Sequence, residues 1–351
     1  MSLLLAGDIG GTKTLLSLHR LGGKGVLPVA QERYESAAWE GLAPMVLHFL
    51  EASREAGRQA TGGADKRPET ACFAVAGPVQ GGRARVTNLP WGDLSEADLA
   101  EACGLARVEL VNDFAVLIYG LPHLGAQQQA PIRDGMVEAG APVLILGAGT
   151  GLGVAVGIPT ASGLQAVASE AAHASFAPRT PEEWELSQWL QADLGLARLS
   201  IERVVSGTGL GHVARWLLAT RHPAADHPLS AAAHRWADES AGGERGDLPA
   251  AVTAAAEGGD ALAAEALALW LGAYGAVTGD LALTTLSRGG IWLAGGTAAK
   301  QLQALRSDRF EAAFLAKGRL RRVLEPMPIT AVLDPAIGSF SAACRAAMLL
   351  G

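Results

Sequence analysis

Short apolar runs alternate with segments of helical periodicity through the first third of the chain. Two segments fit helices, Leu42 to Ala56 and Ser95 to Cys103, and Ser95 is suited to the N-cap of the second. The apolar runs predict β-strands, which we place at Leu3 to Ile9, Thr14 to His19, Ala71 to Val79, Ala84 to Thr87 and Val108 to Val111. Alternation of this kind is typical of a mixed α/β domain.

The most apolar stretch, Ala261 to Leu286, predicts a buried helix. Glu265, Asp280 and several glycines interrupt it, so it suits a protein core better than a lipid environment. The N-terminal MSLLLAGDIGG lacks the basic segment and cleavage site of a secretory signal. We therefore expect a cytoplasmic protein without a membrane span. By contrast, Pro223 to Glu244 is rich in Ala, His, Pro and Asp and is expected to be a surface excursion, helical in part.

Two runs share one plan of apolar strand, glycine-threonine turn and apolar strand. They extend from Leu3 to Leu18 and from Val143 to Gly157. Glycine permits positive φ and close approach of a ligand, and successive N–H groups of a turn form a concavity that suits phosphate. Each run could be an ordinary tight hairpin, but the pair together favours two turns that hold a nucleotide's phosphates.

A dinucleotide-binding fingerprint is the main alternative for these glycines. Gly147, Gly149 and Gly151 follow a predicted strand, and Glu170 lies about twenty residues further on. Such a fingerprint opens a helix, whereas the residues from Gly153 to Gly157 continue as a short apolar strand. The first hairpin meets the same objection, so we disfavour this alternative.

Length, composition and charge narrow the function further. A chain of 351 residues predicts two lobes with a cleft between them. The net charge of -7, with no basic run, argues against nucleic-acid binding and favours small ligands. Cys72, Cys103 and Cys344 are widely separated, which predicts neither disulfides nor a thiolate zinc site and is consistent with a reducing cytosol.

A polar pair lies where an α/β enzyme would place a catalytic carboxylate. Asn112 and Asp113 come at the end of an apolar strand, just before a helical segment that starts near Phe114. Open α/β sheets bind ligands at the carboxyl ends of their strands. Asp is also a common helix N-cap, and from the dipeptide alone the cap is the simpler interpretation.

Three further polar residues are candidates for binding a small polar ligand. Glu170 and His173 are three residues apart, so a helix would place them on one face and a loop would still let both reach one ligand. Glu-x-x-His also occurs in carboxylate-bridged metal sites, but the second copy expected there is absent. The alternative is that Glu170 and His173 form a surface pair and that Glu202 complements a helix dipole.

Taken in order, these segments resemble the bacterial glucokinase family, within the larger group of kinases built on the actin and hexokinase plan. The shared segments are GDIGGTKT, AVAGPVQGGRARVTNLPW, VNDF, LGAGTGLGVAV, SEAAHASFAP, IERVVSGTGL, GGIWLAGG and the stretch from Phe310 to Gly338. So many segments in the correct order are far more specific than any one of them. The related group with a cysteine-rich zinc motif is disfavoured because three scattered cysteines cannot form that motif. No helix-turn-helix precedes the first hairpin, which argues against a repressor.

The resemblance implies a role for each sugar-site candidate. Asp113 would be the general base that accepts the proton of the 6-hydroxyl of D-glucose, with Asn112 beside it binding adjacent hydroxyls. Glu170, His173 and Glu202 would bind the remaining hydroxyls.

The resemblance also implies a nucleotide site for ATP and Mg²⁺. Asp8 would stand near Mg²⁺, through water. The residues from the two turns would hold the phosphates, with Gly151 also next to the substrate: Gly10, Gly11, Thr12, Lys13, Gly149, Thr150 and Gly151. Gly295 and Gly296 match the glycine pair that lies against the adenosine, although a simple strand-to-helix turn would need the same glycines.

Two positions depart from the family pattern. Ala171 and Ala172 stand where the family commonly has two glycines, and if either position needs positive φ, alanine costs roughly 1 to 2 kcal/mol and sugar specificity changes. Lys13 stands where many close relatives carry Asn.

The implied architecture is a two-lobed α/β fold of the actin/hexokinase-like (ribonuclease H-like) type. A small α/β lobe of residues 1–112, completed by 335–351, would face a larger α+β lobe of residues 113–334 across the ligand cleft, and glucose would draw the lobes together. A homodimer is also expected from the resemblance. The alternatives are a kinase for another hexose or amino sugar, and a non-catalytic sugar sensor, which would have no need of Asp113.

Overall fold

The computed structural model describes residues 2–23, 25–86, 89–237 and 246–350. Contacts divide the chain into two compact units. The first unit comprises Met1–Gln128, Ala155–Ala168 and Asp334–Gly351, and the second comprises Gln129–Val154 and Ser169–Leu333. The division expected from the sequence placed residues 113–128 and 155–168 in the large lobe, whereas the contacts place them in the first unit.

Strands and helices are distributed over both units. The strands are β1 (Ser2–Ile9), β2 (Lys13–Gly22), β3 (Gly25–Glu35), β4 (Thr70–Val75), β5 (Val79–Gln80), β6 (Arg83–Arg85), β7 (Asp93–Ser95), β8 (Arg107–Asn112), β9 (Gln129–Arg133), β10 (Val143–Ala148), β11 (Leu152–Thr160), β12 (Gly163–Ser169), β13 (Ile291–Ala294) and β14 (Ile329–Val332). The α-helices are α1 (Leu42–Ala52), α2 (Arg54–Ala60), α3 (Glu96–Cys103), α4 (Pro181–Asp193), α5 (Gly207–Arg221), α6 (Ser230–Ala237), α7 (Leu248–Glu257), α8 (Ala261–Thr285), α9 (Gly296–Lys300), α10 (Leu302–Leu305), α11 (Asp308–Leu315), α12 (Arg321–Leu324) and α13 (Ile337–Met348).

The first unit is built on a mixed sheet in the order β3-β2-β1-β4-β8. Its first three strands are antiparallel, and β1, β4 and β8 are parallel. Leu3 and Leu5 pack with Met45 and Phe49 of α1 in one apolar cluster, and α13 contacts β1 and β4. Because it is covered on both faces, β1 is apolar almost throughout and shows no alternation.

The second unit contains a sheet in which β10, β13 and β14 are parallel and β9 pairs antiparallel with β14. The start of β11 lies beside β10, and the rest of β11 continues into the first unit. Helix α8 is long and apolar enough to cross a membrane, but it packs against α5, α7 and α11. Trp270 and Tyr274 of α8 are fully buried, which confirms the predicted core helix.

Most of the predicted elements are confirmed, with two errors. The strand predicted to reach Val79 ends at Val75, because Gly77 at φ 113° turns the chain. The helix predicted to reach Ala56 breaks at Ser53, between α1 and α2. Ser95 caps α3 as expected, since its side chain accepts a hydrogen bond from Asp98 N.

Two predicted segments are described only in part. The strand expected from Ala84 to Thr87 is β6, and Thr87 lies outside the described residues. The excursion from Pro223 to Glu244 contains α6, as the partly helical pattern predicted, and residues 238–244 lie outside the described residues.

Candidate active site

In the first unit, Asp8 and Asn112 lie at the same edge of the sheet. Asp8 pairs with Ala74 of β4, which pairs with Val111 of β8, so Asn112 follows one residue further along. Two strand spacings put the backbones of β1 and β8 about 10 Å apart. Parallel register therefore brings Asp8 and the Asn112–Asp113 pair to one carboxyl edge, which is where open α/β sheets bind ligands.

Asn112, rather than Asp113, caps the turn that follows β8. Asn112 Oδ1 accepts hydrogen bonds from Phe114 N at 3.1 Å and Ala115 N at 3.0 Å. Asn112 Nδ2 donates to Gly77 O at 3.2 Å and to Asp113 Oδ1 at 3.1 Å. All four hydrogen-bonding positions of this amide are thus used within the protein, and one of them orients the exposed Asp113 carboxylate. The cap interpretation considered for Asp113 belongs to Asn112.

In the first turn, between β1 and β2, the carbonyl groups of Gly10 and Thr12 accept hydrogen bonds from within the protein. Gly10 N donates to Lys13 O at 3.0 Å, Ser36 Oγ donates to Gly10 O at 3.0 Å, and Ser36 N donates to Thr12 O at 2.8 Å. Within the described residues, the N–H groups of Gly11 and Thr12 have no acceptor. Gly10 is needed for space rather than for positive φ, because a Cβ there would lie 2.8 Å from Lys13 O.

Asp8 lines an open pocket in the first unit. The pocket has a volume of about 400 Å³, and its lining includes Lys13, Arg33 and Gly338. Burial raises the pKa of Asp8, the neighbouring Asp113 carboxylate raises it further, and Arg33 opposes both. Repulsion between two carboxylates is what a bound cation relieves, so these residues fit the implied Mg²⁺. Among the described residues no cluster of three or more His, Cys, Asp or Glu side chains could hold a metal ion.

In the second unit, the turn of residues 149–151 joins β10 to β11. Gly149 N donates to Gly151 O at 2.8 Å, and Leu152 N donates to Glu202 Oε2 at 2.9 Å. A Cβ on Gly151 would lie 2.5 Å from the same Glu202 oxygen. Glu202 therefore supports the turn with one oxygen, and a larger residue at 151 would force that carboxylate to move.

The glycine pair after β13 lies beside the end of β10, because Gly147 pairs with Ala294. Gly295 has φ 85°, and a Cβ there would lie 2.7 Å from Ala148 O. The strand-to-helix turn thus accounts for Gly295. It does not account for Gly296, since a Cβ there would meet nothing within 4 Å.

Backbone hydrogen bonds draw Glu170, His173 and Glu202 into one region. Ile201 N donates to Ala174 O at 2.9 Å, and Phe176 N donates to Leu199 O at 2.8 Å. His173 Nε2 lies 3.6 Å from Glu170 Oε2, and the two side chains are 56% and 78% exposed. Both remain accessible to a polar ligand.

Ala171 and Ala172 introduce no backbone strain. They lie in a 3₁₀ turn that runs from Ala171 to His173, and the non-glycine residues with positive φ in the described part of the chain are Ala225 and Leu286. The strain considered for these alanines is therefore absent.

The predicted site residues divide between the two units. The first unit holds Asp8, Gly10 to Lys13, Asn112 and Asp113, and the second holds Gly149 to Gly151, Glu170, His173, Glu202, Gly295 and Gly296. Sequence reasoning missed Arg33, whose guanidinium lines the pocket beside Asp8. It also missed the residues that donate hydrogen bonds to carbonyl groups of the two turns or of the strand before them: Ser36, Gly207, Thr208 and Thr297. For Gly207 and Thr208 a signal existed, because they lie in the shared segment IERVVSGTGL.

Comparisons with known proteins indicate the family and the fold. The sequence model of the family described as glucokinase matches residues 5–349. A glucokinase of Synechocystis sp. is 41% identical over 354 residues, which cover 98% of this chain and 97% of that protein. The crystal structure of a glucokinase from an Antarctic psychrotroph has a TM-score of 0.80 at 25% identity, with 99% of each chain covered. The structure of a ROK family glucokinase from Streptomyces griseus in complex with glucose and AMPPNP shares the fold, with a TM-score of 0.58, 20% identity and 99% of each chain covered.

The family match extends over nearly the whole chain, and the shared fold is of the actin/hexokinase-like type expected from the sequence. The chain therefore belongs to the glucokinase family and is an ATP-dependent hexose kinase.

Proposed function

We propose that this chain transfers the γ-phosphoryl group of ATP to the 6-hydroxyl of D-glucose, which yields glucose 6-phosphate and ADP as the first step of glycolysis. Asp113 is assigned as the base because Asn112 orients its carboxylate. A carboxylate at the carboxyl end of a parallel strand is also well placed to accept a proton from a bound substrate. The sugar O6 forms a bond to the γ-phosphorus while the bond from that phosphorus to the β–γ bridging oxygen breaks. The O6 proton passes to Asp113, and ADP leaves with the bridging oxygen.

The two turns supply the phosphate-binding groups in this proposal. Protein donors hold the carbonyl groups of Gly10 and Thr12 in one turn and of Gly149 and Thr150 in the other. The N–H groups of Gly11, Thr12, Thr150 and Gly151 can donate to phosphate oxygens. Gly10, Lys13 and Gly149 complete the proposed phosphate-binding residues. Gly296 lacks a packing reason and follows Gly295, which supports contact of this pair with the adenosine.

Asp8 would hold Mg²⁺ through water. Its raised pKa reflects burial and the neighbouring Asp113, so a cation is favoured beside it. When bound, the ion neutralises charge on the β- and γ-phosphates during transfer.

The sugar's remaining hydroxyls are assigned to Glu170, His173, Glu202 and Asn112, with Gly151 beside them. Glu170 and His173 are exposed and offer both acceptors and donors to a polyol. Because Asn112 and one oxygen of Glu202 already have protein partners, their main role is to hold Asp113 and the second turn, and sugar contact is secondary for both. An inverted hydroxyl would leave polar groups unpaired, and this discriminates between epimers.

Cellular context is part of the proposal. The three cysteines are free and buried in the structure, which supports the reducing cytoplasm expected from the sequence.

We propose a homodimer, on the family resemblance. Light scattering coupled to gel filtration would then give twice the chain mass of 36.0 kDa, and a value equal to that mass would reject the homodimer.

Sugar identity is tested by ADP release from the purified protein with MgATP. The panel comprises D-glucose, mannose, fructose, galactose, N-acetylglucosamine and N-acetylmannosamine, and Asp113→Asn is assayed in parallel. We expect the highest kcat/KM with glucose and a fall of about 10² to 10⁴ in kcat for the variant. Turnover confined to another sugar would reassign the substrate, and unchanged turnover in the variant would remove Asp113 as the base.

A further inference from the structure

Three consecutive carbonyl groups around the second turn are each held by a donor from outside the turn. Thr297 Oγ1 donates to Ala148 O at 2.6 Å. Gly207 N donates to Gly149 O at 2.7 Å, and Thr208 Oγ1 donates to Thr150 O at 2.7 Å. We call these three donors the carbonyl clamp. They come from the first residues of α5 and α9.

Holding a carbonyl fixes the direction of an amide. A trans peptide unit is planar, with its C=O and N–H pointing in opposite directions. The peptide unit of Gly149 O carries the Thr150 N–H, and the unit of Thr150 O carries the Gly151 N–H. Clamping these two oxygens toward α5 therefore points both N–H groups away from it.

These two N–H groups are the unpartnered donors of the turn. Within the described residues, neither Thr150 N–H nor Gly151 N–H has an acceptor, whereas Gly149 N–H is bonded to Gly151 O. The clamp thus separates the turn into a carbonyl side engaged by protein and an amide side left to a ligand. Adjacent N–H groups with one direction form an anion-binding concavity.

We propose that Thr208 and Thr297 are positioning residues for nucleotide binding. Thr208 Oγ1 aims the Gly151 amide at phosphate oxygens by holding Thr150 O, and Thr297 Oγ1 holds the Ala148 peptide unit, whose Gly149 N–H closes the turn onto Gly151 O. The inference rests on the proposed phosphate-binding role of this turn. The two hydroxyls have no part in the chemical step. Their loss therefore raises the Kd for ADP and the KM for ATP, and leaves the KM for glucose unchanged.

The test replaces each hydroxyl by a methyl group of similar shape, in Thr208→Val, Thr297→Val and the double variant. The matched control is Thr220→Val, since Thr220 Oγ1 donates to Trp216 O at 2.8 Å on the same helix α5 but does not contact the turn. Conservative Thr208→Ser and Thr297→Ser variants retain the donor. The readouts are the Kd for ADP from calorimetry, the KM for ATP, the KM for glucose and the melting temperature.

We expect each valine variant to raise the Kd for ADP and the KM for ATP by about three- to tenfold, which corresponds to the loss of one hydrogen bond. The KM for glucose should remain within twofold, the serine variants should recover wild-type values, and Thr220→Val should bind ADP normally. Unchanged ADP affinity in a folded double variant would overturn the proposal, as would equal losses for serine and valine. Failure of the wild-type protein to bind ADP would instead refute the proposed phosphate site, so the two failures are distinguishable.

If Thr297→Val does not fold, Gly207→Ala tests the same clamp from α5. A Cβ at Gly207 would lie 2.8 Å from Gly149 O, so the added methyl group displaces the clamped carbonyl. ADP binding as tight as in the wild type would again contradict the proposal.

Discussion

Asn112 Nδ2 donates a hydrogen bond to Asp113 Oδ1 at 3.1 Å, while Asn112 Oδ1 is occupied by two backbone N–H groups. The amide therefore cannot rotate without breaking the cap of the following turn. Asp113 obtains its orientation from a neighbour that is itself fixed by the backbone, and this arrangement suits a base that must meet one hydroxyl.

Asn112→Asp tests this relationship. The substitution keeps the oxygen that caps the turn but removes both N–H donors and places a second carboxylate beside Asp113. We expect kcat for glucose to fall by about 10- to 100-fold because the base loses its orienting donor and gains a repelling charge. Steady-state kinetics and circular dichroism of the variant measure this; an unchanged kcat would show that the amide is dispensable.

Gly151→Ala is expected to destabilise the second unit. The added Cβ would lie 2.5 Å from Glu202 Oε2, so the carboxylate must move and its hydrogen bond to Leu152 N weakens. We expect a loss of about 0.5 to 1.5 kcal/mol in the free energy of unfolding, the range for one hydrogen bond. Gly149→Ala is the matched control, since a Cβ at 149 meets nothing within 4 Å. Equal urea midpoints for the two variants would contradict the steric argument.

Acid should destabilise the protein through His19. This buried side chain has its pKa lowered from 6.5 to about 4 by burial, so the folded state binds fewer protons than the unfolded state between these values. The contribution of His19 to the free energy of unfolding is therefore fully present above pH 6.5. It is lost progressively as the pH falls toward 4, by about 3 kcal/mol in all. Urea unfolding of His19→Gln and the wild type at several pH values checks this. The free energy of unfolding should fall less with decreasing pH in the variant, and parallel curves for the two proteins would exclude His19 as the cause.

Magnesium dependence should change when Asp8 is altered. Asp8→Asn removes the carboxylate that lies beside Asp113, and we expect a higher Mg²⁺ concentration at half-maximal rate and a fall in kcat of about 10². Asp65→Asn, at an exposed ion pair with Arg54, is the control. Chelation of Mg²⁺ should abolish turnover of the wild type. Identical Mg²⁺ titrations for Asp8→Asn and the wild type would remove Asp8 from the metal site.

Local pattern was sufficient for much of the fold. The β1–β2 hairpin, the cap at Ser95 and the buried helix α8 follow from short apolar runs and from residue types at their ends. The predicted strand ran past the turn signal of Gly77 and Pro78, whereas the helix breaks at Ser53 with no glycine or proline beside it. Neither Gly10 nor Gly151 has a positive φ, and a Cβ at Gly10 would meet the backbone oxygen of Lys13 at 2.8 Å, a contact that only the folded turn shows.

The sequence by itself determined the family, the polar groups available and their order along the chain, because these depend only on residue identity. The tertiary structure decided which of these groups support other residues by hydrogen bonds and which are left for a ligand. Glu202 supports a turn 50 residues earlier in the chain, and Thr297 reaches a carbonyl 149 residues away. Such contacts depend on strand register and helix packing, which bring together residues that no local pattern relates.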